Sequence, residues 1–164
     1  MSGAPSPDSA RGLLRHTLAT LSYRAAKCLS DVAPDFPTFT TAPGARTPSQ
    51  ILAHMGDLLD WALAMAEDRH GWKNSTPRPW DEERARFFAA LQAFDRYLES
   101  DQPLGCEPER LFQGPVADAL THTGQIAYLR RLAGKPVRGE NYVKATIVAG
   151  GIAASYDAPR LEFD

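Results

Sequence analysis

Scarcities set the first limits on this 164-residue chain. Its two cysteines, Cys28 and Cys106, lie far apart without CxxC spacing, so neither a disulfide framework nor a cysteine-built zinc knuckle is indicated. Positive charge is not in excess: 18 Lys and Arg stand against 20 Asp and Glu, and no segment carries a basic stripe, which argues against nucleic acid as a partner. No apolar run reaches the roughly 20 residues of a membrane span. Met1 to Ser9 is a small-residue and proline segment, not a charged start followed by a hydrophobic stretch, so a cytoplasmic protein with no membrane partner is expected. Strand alternation is missing as well. With only four histidines in the chain, the position of each carries information.

What is present is helical periodicity, in four segments separated by Pro-, Gly- and Thr-rich connections, which predicts an all-α bundle in a single domain over residues 8–164 behind a disordered tail of residues 1–7. The first helix runs from about Asp8 to Asp31 on a stripe of Leu14, Leu18, Leu21, Ala25 and Cys28. Pro34, Pro37 and Pro43 exclude a helix from Ala33 to Arg46 and leave a crossover or lid. Thr47-Pro48-Ser49-Gln50 reads as a capping box opening the second helix, which continues to about Asp68. The third begins near Asp81 and buries Phe87, Leu91, Phe94 and Leu98, a stripe with no titratable group except Arg84 at its edge. After a short turn over Glu107 to Phe112, Gly114-Pro115 restarts the chain into a fourth helix ending at Ala133. The remainder is a short helix or packed irregular extension.

Chemistry concentrates in Asp118-Ala-Leu-Thr-His122-Thr-Gly-Gln125. On a helix Asp118, His122 and Gln125 fall within about 60° of arc, in line with Leu129 and Leu132, while Thr123, Ala127, Arg130 and Arg131 take the opposite face. An unpaired polar group on a buried arc costs roughly 1 to 3 kcal/mol, so a partner is required. His54 lies inside the apolar stripe of Ile51, Leu58, Trp61 and Met65 and is aimed inward. His16 lies opposite its helix's stripe and His70 in a loop, which makes both solvated residues. Two histidines and a carboxylate suit a divalent transition metal (zinc, nickel or iron) with positions left open. A local ion pair on one helix, with His54 bonded to a backbone carbonyl, accounts for the same spacing. Gln125 either orients His122 or bonds a neighbouring helix, Asp57 orients His54 or, the favoured reading, faces solvent, Tyr128 and Tyr142 line a pocket or the core, and Cys28 is a buried thiol without a basic neighbour.

The string from Asp118 through His122, Gly124-Gln125 and Arg130-Arg131 resembles the fourth-helix signature of the DinB-like superfamily, and Ile51-Leu-Ala-His54-Met-Gly-Asp57 is similar to its second-helix segment. The resemblance covers about Gly12 to Tyr142. It implies a four-helix bundle of up-down-down-up connectivity, a homodimer, and a metal held by three histidines. His54 and His122 match two of those ligands, while Asp118 stands at the third position. An aspartate makes such a site one charge more negative and weakens its Lewis acidity. The resemblance further implies a metal-dependent transferase using a low-molecular-weight thiol on a small electrophile. The alternatives are a non-catalytic dimeric bundle with a polar core cluster and a metal-dependent hydrolase, the latter disfavoured because no separate general base is evident.

Overall fold

The computed structural model describes residues 7–157 and 159–162. Apart from Pro7, which opens the first helix, the tail expected over residues 1–7 lies outside the described residues. The chain is all-helical: α1 (Pro7–Leu29), α2 (Pro48–Ala66), α3 (Trp80–Glu99), α4 (Pro108–Leu111) and α5 (Ala117–Leu132), with a 3₁₀ turn at Phe36–Thr38. No strand occurs among the described residues, and no helix among them is long and apolar enough to cross a membrane.

Local signals explain the boundaries. Thr47 Oγ1 accepts from Gln50 N at 3.3 Å, and Gln50 Oε1 accepts from Thr47 N at 2.9 Å, the reciprocal capping box that satisfies two donors at the start of α2. Asp81, Glu82 and Glu83 complement the positive end of α3. Gly114-Pro115 does not break the fourth helix as the sequence predicts. A π turn over Phe112–Val116 joins α4 to α5 into one rod. In an α-helix Pro115 would lack an N–H and crowd the Leu111 carbonyl, and the wider π turn relieves that crowding.

Contacts between named residues fix the connectivity. Arg15, early in α1, pairs with Asp95 and Glu99 late in α3, and Trp80 Nε1 at the start of α3 donates to Leu29 O at the end of α1, so these helices are antiparallel. Arg86, early in α3, reaches Ala53 O early in α2, and Gly105 N, after the end of α3, donates to Ala66 O at the end of α2, so α2 and α3 are parallel. Arg130, near the end of α5, reaches the end of α1, so those two run together. The order around the bundle is α1, α3, α2, α5, and the directions are up, down, down, up, as expected. The core between them is filled by side chains such as Leu18, Leu52, Leu59, Phe87, Leu91 and Phe94, each almost fully buried and each worth about 1.5–3 kcal/mol of transfer free energy.

Two helix faces differ from what periodicity predicts. Arg130 and Thr123 are buried, not solvent-facing, and the core side of α5 is Ala119, Thr123, Ile126 and Arg130, with His122 beside it. Arg130 Nη1 donates to the carbonyls of Lys27, Cys28 and Ser30 at 3.0, 3.1 and 2.8 Å, satisfying and neutralising the negative end of α1. The α3 stripe also contains buried Glu83 and Asp95, held by Arg86 and Arg15. The extension after Gly134 is irregular and packs along α1: Tyr23 Oη donates to the buried Glu140 carboxylate at 2.6 Å, and Ala153 N donates to Ser22 Oγ at 3.1 Å.

Candidate metal centre

His54 on α2 and Asp118 and His122 on α5 converge, and one ligand atom from each can be chosen so that all lie within 4.8 Å of one another. His54 Nε2 is 3.3 Å from Asp118 Oδ2, and His122 Nε2 is 3.4 Å from Asp118 Oδ1. The imidazoles meet edge to face, with centroids 4.8 Å apart. Burial is graded: the side chains of His122, His54 and Asp118 are 10 %, 19 % and 45 % exposed. Asp118 therefore does not point into the core as its arc predicts. It forms the wet rim of the site, with the histidines as its dry wall.

Proton accounting defines what the group needs. Gln125 Oε1 lies 2.7 Å from His122 Nδ1, so the amide oxygen accepts the ring proton there. On the other side of the ring, His122 Nε2 faces Asp118 Oδ1. Burial holds the His54 pKa below its ordinary value, against the raising effect of its Asp118 hydrogen bond. His54 is therefore neutral at neutral pH and can offer at most its single proton. Charge-assisted N–H···O contacts close to about 2.7–2.9 Å, shorter than either contact here. Ligands about 2.1 Å from a common tetrahedral ion are separated by about 3.4 Å, close to each contact taken singly, although the two contacts are made to different oxygens of Asp118. The group could hold a metal ion after a small closure of the three side chains.

Gln125 thus orients His122 instead of bonding a neighbouring helix. Asp57 does not face solvent: it is buried, accepts from Ser75 N and Oγ at 2.8 and 2.6 Å, and pairs with Arg86 at 3.0 Å. His16 and His70 are exposed, as expected. Cys28 is buried but does have basic neighbours; burial nevertheless outweighs Arg130, Arg24 and Lys27 and pushes its thiol up to about 11, which makes it inert. Tyr142 packs on Tyr23 and under the Arg24 guanidinium, away from the centre.

Sequence reasoning missed two neighbours. Trp72 stands edge-on to His54 at 5.5 Å and to Trp61 at 5.6 Å, and the Ser75–Asp57 bonds anchor the loop that carries it. The polar composition of that loop gives no sign of this role. Arg46, next to the Thr47 cap, lines both a polar cleft of about 330 Å³ that reaches His54 and an open groove of about 740 Å³ walled by Ile51, Gln125, Tyr128 and Leu132. Among known proteins, no family model, curated protein or solved structure matches the chain.

Proposed function

We propose that the protein is a DinB-like bundle that binds a divalent transition metal, zinc, nickel or iron, through His54, Asp118 and His122. The carrying observation is the convergence of His54, Asp118 and His122 from two helices, with one ligand atom from each lying within 4.8 Å of the others. The up-down-down-up order of the helices supports the family reading, and the half-exposed Asp118 leaves the centre open on one side for a further ligand.

An ion bound there would supply Lewis acidity and lower the pKa of a bound thiol or water. The chain's own part is to keep the His54 imidazole neutral, fix the His122 ring through Gln125, and screen one face with Trp72. Neither Cys28 nor Cys106 takes part in the cluster, so a thiol acting there comes from a substrate. The reading is a transferase that joins a low-molecular-weight thiol to a small electrophile.

The test is metal analysis of protein purified without chelator, native and with His54→Ala plus His122→Ala. One ion per native chain and none in the double variant is the expected result. Equal content in the two proteins overturns the reading. Thiol and electrophile panels then separate catalysis from binding, and inactivity across them removes the transferase assignment.

A further inference from the structure

The groove beside the centre is built from unlike parts. Its wall is apolar, with Ile51 from α2 and Tyr128 and Leu132 from α5, the latter two 59 % and 48 % exposed. Arg46 is the one charged residue that lines it. Arg46 is exposed and, among the described residues, has neither a hydrogen bond nor an ion pair, whereas the more buried Arg15, Arg86 and Arg130 are each paired or hydrogen-bonded. A volume of about 740 Å³ lies within the roughly 300–1,000 Å³ of small-molecule sites.

Gly124 adds an independent observation. It sits in the interior of α5, where glycine is the least favoured residue after proline, yet a Cβ at this position would meet nothing within 4 Å. It is exposed and lines the groove, so a bulky side chain there would project into the open space beside Gln125 and Tyr128.

We propose that this groove binds a small amphipathic monoanion, a carboxylate on an apolar body, with Arg46 as the carboxylate anchor and Ile51, Tyr128 and Leu132 as the surface for the body. The planar guanidinium fork matches a carboxylate, and a single cation with no second positive group on the wall matches one negative charge. Arg46 also lines the cleft that reaches His54, and Gln125 is shared between the groove wall and His122, so the occupant lies against the metal centre. The inference deepens the transferase reading by naming its substrate class, and it rests on that reading only for what happens at the occupant's reactive end.

Calorimetric titration with 4-phenylbutyrate and with its neutral amide tests the proposal, using protein as purified and after chelator treatment. The carboxylate is expected to bind at least about tenfold more tightly than the amide in both preparations, the worth of one charge-assisted contact. Arg46→Ala should erase that preference while keeping amide affinity and metal content. Gly124→Leu should abolish binding of both probes while leaving the melting temperature undiminished. A preference that survives Arg46→Ala, or no binding of either probe to native protein, overturns the proposal. The His54→Ala plus His122→Ala protein should retain the preference, so a failed metal reading appears as metal-free native protein with Arg46-dependent binding intact.

Discussion

Two polar clusters grow from adjacent turns of α2 and differ in one respect. Around Asp57, every charge is answered: Arg86 pairs with Asp57, Asp60 and Glu83 and donates to Ala53 O, while Ser75 supplies two further donors to Asp57. Burial lowers the Arg86 pKa, but the Glu83 hydrogen bond and the Glu83 and Asp57 charges outweigh it and the net shift is upward. Around His54, one turn earlier, no arginine or lysine among the described residues pairs with the group, and Asp118 meets the two histidines at 3.3 and 3.4 Å. A closed network holds helices together; a group without a fixed cation could hold one. Sequence types alone do not separate the two, because each contains a carboxylate and nitrogen donors.

The largest effect is expected where the closed network is opened. Arg86→Met strands buried Glu83 and Asp57 without a cation and should destabilise the fold by about 3–5 kcal/mol, read from urea denaturation. Gly56 belongs to the same device, since a Cβ there would lie 2.6 Å from the Arg86 guanidinium carbon. If Arg86→Met proves neutral in stability, the contrast between the clusters collapses. The next effect concerns the open network. Gln125→Leu removes the acceptor that fixes the His122 tautomer and should lower metal affinity about 10–100-fold, measured by competition with a chromogenic chelator. Stability without metal should change little, because Gln125 is exposed. Undiminished affinity would mean that His122 is not oriented through Nδ1.

The fold was legible because helical period, the Thr47 cap and the proline-rich crossover all act locally. His54, Asp118 and His122 were legible as donors because each stands out against the residue types around it. The facing of α5 was not, since period assigns Arg130 to solvent while its length lets it reach three carbonyls at the end of α1. The partners of Asp57 were hidden for a related reason: Ser75 and Arg86 come from segments whose approach is set by tertiary packing. Gly114-Pro115 looked like a break because a π turn has no composition of its own. Trp72 sits in a segment whose polar neighbours hide its place against His54.

The smallest expected effect is the sharpest, because its sign changes with metal. If His122 Nε2 carries no proton, the side-chain amide of Asp118→Asn can donate to it, a hydrogen bond that the carboxylate cannot make. With chelator present the variant should be more stable than native protein by about 0.5–1 kcal/mol, a value kept small by the half-exposed position. In saturating zinc the order should reverse, because a ligand that binds only the folded state stabilises it in proportion to its affinity and the amide is the poorer ligand. A local ion pair between Asp118 and a protonated histidine makes the opposite demand: removal of the carboxylate charge would then destabilise the metal-free protein. Thermal melts of the two proteins, with and without zinc, therefore decide whether Asp118 serves the fold or the ion.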